Sequence, residues 1–234
     1  MVKKICVITG GTGGIGFASA KELSKQYSVY ICDVSADKIE KAVNELKADG
    51  MDADGMVCDI SDKTQSDELA RKASALGKVV GVIQLAGLTP TFAPAPDILK
   101  VDTIGPMNIN ESFYEVMDGG CIIVYWYARQ CAYKFGREKR IRVMTVSPGV
   151  IRTQMSMSDF ERSTSGMEGL DRTMSWCALS RPGRPGRPEE IAFLFSTIID
   201  ERNSYLTGTD IYLDGGCDAA GYHGQREWYP GNKN

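Results

Sequence analysis

Histidine is almost absent from this chain of 234 residues, with His223 the only one. It has no companions at ligand spacing, which excludes a histidine-built metal centre and leaves a surface or packing role. The seven cysteines (Cys6, Cys32, Cys58, Cys121, Cys131, Cys177 and Cys217) lack the close pairs that structural zinc or a redox dithiol would require. No metal is expected, and the thiols in apolar runs read as small hydrophobes that pack rather than react. No apolar stretch approaches the roughly 18 residues of a membrane span. Behind Met1, Lys3 and Lys4 there is neither a signal-peptide core nor a cleavage site. A soluble, cytoplasmic protein without a membrane partner is expected. Basic excess is missing too: the net charge is −3, and no basic tail or groove calls for nucleic acid.

What is present is ordinary globular composition, 43% hydrophobic and 24% charged, arranged in a strand–helix alternation. Ile5–Ile8 is a short continuous apolar run, as in a parallel strand covered on both faces. A helix is expected from Ile15 to about Gln26, and a strand over Ser28–Cys32. Ser35 then caps a helix whose Ile39, Ala42, Val43 and Leu46 share one face, and which stops at Gly50. Met56–Cys58 reads as the third strand, Ser61–Leu76 as a helix and Val79–Leu85 as the fourth strand. A proline-rich loop (Pro90, Pro94, Pro96) leads to a helix from Ile98 to about Met117 and a strand over Cys121–Val124. Arg142–Val146 is a sixth strand, Pro188–Ile199 a helix and Ile211–Leu213 a last strand. Such alternation implies parallel pairing through right-handed crossovers. The expected architecture is a single doubly wound α/β domain over residues 1–234, of Rossmann type, with about seven strands and helices on both faces. Gln154–Arg187, rich in Ser, Met and Gly, reads as a mobile substrate-side segment, and 217–234 as a C-terminal tail able to cover the active site or a neighbouring subunit.

The turn after the first strand is Thr9-Gly10-Gly11-Thr12-Gly13-Gly14-Ile15-Gly16. Glycines between a strand and a helix are the context in which such a motif binds a dinucleotide. Gly10 permits the tight turn, Gly14 lets backbone approach a pyrophosphate, and Gly16 lets the helix pack closely, with the phosphates at the helix N-terminus. Gly13 and Ile15 complete that cradle, and Thr9 and Thr12 add hydroxyl donors. A phosphate-binding loop of the nucleotide-hydrolase kind does not fit, because no Gly-Lys-Ser/Thr follows. Asp33 ends the second strand about twenty residues on, where an acid accepts from the adenosine ribose hydroxyls. A 2′-phosphate would meet like charge there, and the turn carries no basic residue, so NAD is expected over NADP.

With these residues in hand, the chain resembles the short-chain dehydrogenase/reductase family over nearly its whole length. The spacing Thr-Gly-x-x-x-Gly-x-Gly at 9–16 is that family's form of the fingerprint. Cys58-Asp59-Ile60 resembles the acid placed against the adenine, and Leu85-Ala86-Gly87 the Asn-Ala-Gly after the fourth strand, with its asparagine replaced. Ile141–Val143, Ser147–Thr153, Gly186–Ala192, Leu206–Gly208 and Asp214–Gly216 match further signatures. The resemblance implies cofactor contacts from Asp59, Ile60, Ala86 and Gly87, and from Pro148, Gly149, Val150, Ile151 and Thr153. Val150 or Ile151 would lie near the carboxamide and Thr153 near the phosphates. It also implies interconversion of a secondary alcohol and a ketone, and a homotetramer or homodimer.

The family's catalytic serine and Tyr-x-x-x-Lys are missing. Val124 runs directly into Tyr125-Trp126-Tyr127-Ala128, and Ala128–Val143 resembles the C-terminal half of the tyrosine-bearing helix followed by the sixth strand. Tyr125 with Arg129 and Tyr133 with Arg137 keep a Tyr-x-x-x-basic spacing, though the first begins at a strand end and the second lies near a helix end. Tyr229 with Lys233, the literal match, falls in the tail. Asp102 stands where the family has its supporting asparagine, either as a polar anchor for an active-site water and thus a candidate catalytic residue, or as an ordinary helix carboxylate. Three readings follow. In the first, the biological protein carries the catalytic segment and is heavier than 25.6 kDa. In the second, the chain binds the dinucleotide without turnover, as a sensor or store. In the third, Tyr125, Tyr127 or Asp102 serves a redirected reaction.

Overall fold

In a computed structural model, residues 2–124, 128–162 and 184–218 are described, the side chains of 159–162 excepted. The strands β1 (Lys4–Thr9), β2 (Ser28–Asp33), β3 (Ala53–Val57), β4 (Lys78–Gln84), β5 (Cys121–Val124), β6 (Arg142–Pro148) and β7 (Asp210–Leu213) form one sheet in the order β3-β2-β1-β4-β5-β6-β7. Every pairing is parallel. The strand order reverses between β1 and β4, and that switch point opens the crevice in which such sheets hold ligands.

Helices cover both faces, as continuous apolar strands require. One core joins Cys6, Ile8, Ile31, Ile83 and Ile123 of the sheet to Leu23 of α1 (Gly14–Leu23), Leu46 of α2 (Ala36–Ala48) and Phe195 of α8 (Pro188–Ile199). The other joins Ile5, Val7, Val82 and Ile122 to Leu69 of α3 (Lys63–Leu76), Phe113 of α5 (Gly105–Val116) and Phe135 of α6 (Ala128–Lys139). Alternate residues of β1 divide between the two cores because strand side chains alternate faces, and each fully buried isoleucine contributes roughly 1.5–3 kcal/mol. Burial pushes the Cys121 thiol up to about 11 and that of Cys6 still higher, so both behave as packing groups. No helix among the described residues is long and apolar enough to cross a membrane.

Local chemistry sets the boundaries. Ser35 accepts from the Lys38 amide to start α2, and Asp62 caps α3 through the amides of Thr64 and Gln65. The helix expected from Ile98 to Met117 is interrupted: a short α4 (Ala95–Leu99) passes through a π-helical turn, Lys100–Ile104, into α5. The stretch after Gln154 opens as a helix, α7 (Gln154–Arg162), where the sequence pattern showed no clear period. Its remainder through 183, with Cys177, lies outside the described residues, as do Tyr125, Trp126, Tyr127 and the tail from 219 with His223.

Candidate functional site

The residues expected to hold the cofactor lie at the C-terminal ends of β1, β2, β3, β4 and β6, on both sides of the switch point. Gly10 turns the chain at φ +63°, and a Cβ there would lie 2.7 Å from the Ala86 amide nitrogen after β4. Side chains rarely adopt that conformation, so glycine is required twice over. Gly16 is needed for a related reason: a Cβ would fall 2.1 Å from the Gly10 carbonyl oxygen. Its bareness closes the turn on itself, which sharpens the expectation of close helix packing. Gly14 faces the opposite bank, with the position of a Cβ 2.9 Å from the Thr153 methyl carbon. Gly13 begins α1 without any side-chain cap, and no acidic residue stands in the first turn. The helix therefore presents bare amides and a positive dipole end, the arrangement a pyrophosphate needs.

The turn is tied to β2. The Gly11 amide donates to the Cys32 carbonyl at 3.1 Å, and a Cβ on Gly11 would be 2.6 Å from that of Ile31. Thr12 donates its hydroxyl to Asp33 Oδ2 at 2.5 Å, while the Val34 amide donates to Oδ1 at 2.8 Å. Asp33 is half-buried at the mouth of the crevice. Thr9 behaves differently from the donor role expected of it: it is fully buried, and its hydroxyl oxygen accepts from the amides of Leu85 and Ala86 at 3.1 and 3.2 Å. It fastens β1 to the loop after β4 instead of facing the phosphates.

Asp59 lies just past β3. Its Oδ1 accepts from both the amide and hydroxyl of Ser61, and its own amide donates to Gln65. Ile60 is buried in the second core, and its carbonyl accepts from Asn108 and Ser66. Cys32 and Cys58, immediately before the two acids, are both buried, and the interaction between their side chains raises the pKa of Cys32 and lowers that of Cys58.

On the far bank, Pro148 ends β6, the Gly149 amide donates to the Leu213 carbonyl at 3.1 Å, and Val150 accepts at its carbonyl from Gly186 at 2.9 Å. Ile151 is buried in the first core, so of the two residues expected near a carboxamide Val150 is the more exposed. Thr153 starts α7 by a reciprocal pairing with Ser156, whose hydroxyl also reaches the Ile151 carbonyl at 2.6 Å. Thr153 thus stands opposite Gly14 with a second helix N-terminus behind it.

Asp102 sits in the π-helical turn and accepts the Leu88 amide at 2.9 Å beside Gly87. Burial raises its pKa, partly offset by that amide. One polar group escaped the sequence reading. Gln84, buried at the end of β4, donates to Asn110 at 2.7 Å while its own Oε1 has no hydrogen-bond partner among the described residues. Of the paired tyrosines, Tyr133 accepts from Arg137 at 2.8 Å as the helical spacing predicts, but it is 71% exposed. Among the described residues no tyrosine stands four before a lysine.

The model for short chain dehydrogenases matches residues 4–121, half of the chain, and that for enoyl-(acyl carrier protein) reductases matches 107–218. A tropinone reductase homologue of Arabidopsis thaliana is 27% identical over 257 residues, covering 94% of this chain and 81% of the relative. Dehydrogenase/reductase SDR family member 4 of Bos taurus is 26% identical over 248 residues, covering 91% and 86%. Both alignments exceed the 234 residues present, so each sets part of the relative against no residue of this chain. Levodione reductase superposes with a TM-score of 0.81 at 22% identity, covering 93% of this chain and 98% of that one. An actinorhodin polyketide ketoreductase solved with NADPH gives 0.80 at 20%, covering 92% and 97%; these two likenesses concern the fold. The chain belongs to the short-chain dehydrogenase/reductase family of oxidoreductases, whose members bind a nicotinamide dinucleotide.

Proposed function

We propose that this protein is an NAD-dependent oxidoreductase that interconverts a secondary alcohol and a ketone. The observation that carries the cofactor choice is Asp33, fixed at the end of β2 by Thr12 and Val34 beside a turn without basic residues. Its carboxylate has acceptor capacity left for the ribose diol and would repel a 2′-phosphate. The glycines, bare where a Cβ would collide with backbone, and the uncapped start of α1 fit a pyrophosphate. Asp59 would lie against the adenine, with Ile60 supporting it from the core, and Ala86, Gly87, Pro148, Gly149, Val150, Ile151 and Thr153 would line the rest. The bound nicotinamide supplies the hydride acceptor or donor. The protein's own task is to orient the ring and exclude water, and to move a proton at the substrate oxygen.

Asp102, beside Gly87 and raised in pKa by burial, is the candidate anchor for an active-site water. The rest of the family's proton-transfer machinery belongs at the join between Val124 and Ala128, in Tyr125 and Tyr127 or in a segment of the biological protein there. We place the protein in the cytoplasm as a single-domain homotetramer or homodimer acting on a small molecule, with no membrane or nucleic-acid partner. The test is to offer NAD and a panel of secondary alcohols, then NADH and the matching ketones, while following the absorbance of the reduced nicotinamide. Turnover with any pair supports the assignment.

A second reading is a dinucleotide-binding protein without turnover. It is favoured by the join itself: only three residues separate β5 from α6. Binding of NADH without turnover on the whole panel, in a protein whose intact mass is 25.6 kDa, would decide for it.

A further inference from the structure

The Asp33 carboxylate is held from two directions. The Val34 amide is a local partner, available to any acid at this position, whereas Thr12 reaches across from the glycine turn after β1. The turn is brought over β2 by two further contacts, the Gly11 amide on the Cys32 carbonyl and the bare face of Gly11 on Ile31. From Gly10 to Gly14, Thr12 is the sole residue with a side chain beyond hydrogen. A hydroxyl has one proton to give, and here it is given to Asp33, not to a phosphate oxygen. A carboxylate has about four acceptor sites, so these two donors orient it and still leave it able to accept from a ribose.

We propose that Thr12 is the positioning residue for cofactor selection, its hydroxyl locking the Asp33 carboxylate in the orientation that accepts the ribose diol and repels a 2′-phosphate. This rests on the NAD reading of the site. The effect is confined to the part of the cofactor in which NADH and NADPH differ. A threonine that donated to the pyrophosphate, or merely kept the turn folded, would act on the part they share. Removing the lock frees the half-buried Asp33 side chain to rotate toward water, which weakens its hold on the ribose and relieves its repulsion of a phosphate.

The experiment is fluorescence titration of the full chain with NADH and with NADPH, for the wild type, Thr12→Val, Thr12→Ser and Asp33→Ala, and for Thr12→Val combined with Asp33→Ala. The valine is nearly isosteric and lacks the donor; the serine keeps it. Thr12→Val is expected to weaken NADH by about tenfold, the scale of one well-placed charge-assisted hydrogen bond, while NADPH is unchanged or tighter. Thr12→Ser should restore the wild-type ratio, and Thr12→Val should add nothing once Asp33 is alanine. Equal weakening of both cofactors by Thr12→Val, or an unchanged ratio in a wild type that selects NADH, overturns the inference alone. Equal affinities in the wild type overturn the NAD reading beneath it. If Thr12→Val does not fold, Thr12→Ser with a ratio unlike the wild type's overturns the inference, and a preserved ratio supports it.

Discussion

The two ends of the crevice are built to different densities. On the β1–β2 side, the glycine turn is fastened to β2 by Gly11 and Thr12, and to the loop after β4 by the Thr9 hydroxyl and the tight fit of Gly10. On the β5–α6 side, strand and helix are separated by three residues, and the buried Gln84 at the adjacent end of β4 has an oxygen without a hydrogen-bond partner among the described residues. Yet β5 still pairs with β6 in register from Cys121 to Val124, and α6 still covers them with Phe135. The parallel sheet and the cofactor cradle depend on backbone fit and core packing. On the proposed reading the proton-transfer groups would be side chains carried on the connection after β5, which the sheet does not need, and binding would then be separable from catalysis.

Four changes break or sharpen that contrast. The largest effect is expected from Gly16→Ala, because the new methyl would meet the Gly10 carbonyl oxygen at 2.1 Å and backbone must shift. A loss of roughly 3 kcal/mol or more in urea unfolding is expected, together with loss of NADH binding; a stable protein that still binds would show the turn to be slack. Arg142→Met tests the other end of the sheet. Arg142 is buried and donates to the carbonyls of Ile199, Asp200 and Leu206. Removing it should cost about 2–4 kcal/mol by leaving those carbonyls without their partner. A negligible cost would mean that this half is loosely held throughout, not only at the join.

Smaller effects come from two carboxylates. Glu190 accepts from Arg184 and reaches back to the Arg187 amide at the start of α8, and its pKa falls to about 2. Because the folded value lies below an unfolded value of about 4.3, the stabilisation is present above that value and drains away as pH falls toward 2. Glu190→Gln should therefore lower the melting temperature at neutral pH and match the wild type in strong acid. Asp102 has the opposite sign. Its folded pKa is raised, so it costs stability once pH exceeds its unfolded value of about 3.9. Asp102→Asn keeps an acceptor for the Leu88 amide and should raise the melting temperature slightly at neutral pH, with the gain vanishing below about pH 4. A loss instead would show that the charge itself holds a partner in the crevice.

Much of this was legible in the chain because it rests on local rules. The apolar runs at Ile5–Ile8 and Cys121–Val124 lie in β1 and β5, and the face made by Ile39, Ala42, Val43 and Leu46 is buried in α2. The π-helical turn at Lys100–Ile104 was not legible, since Val101 and Ile104 continue a helical pattern while the hydrogen bonding changes beneath it. Helix α7 was missed because its Ser- and Met-rich composition masks the period, although the Thr153–Ser156 pairing is a capping signal. Thr9 was misjudged because a strand-end hydroxyl looks toward the ligand or toward the neighbouring strand according to the sheet's register, which appears only once β1 lies beside β4. The bond from Thr12 to Asp33 joins residues 21 apart and depends on how the turn folds over β2.

The most direct test of the central claim is a pair of titrations of the unaltered protein with NADH and NADPH under one set of conditions. Saturable binding of both is expected, with NADH tighter by about tenfold or more, the worth of one well-placed polar discrimination. Equal affinities, or tighter binding of NADPH, would contradict that claim.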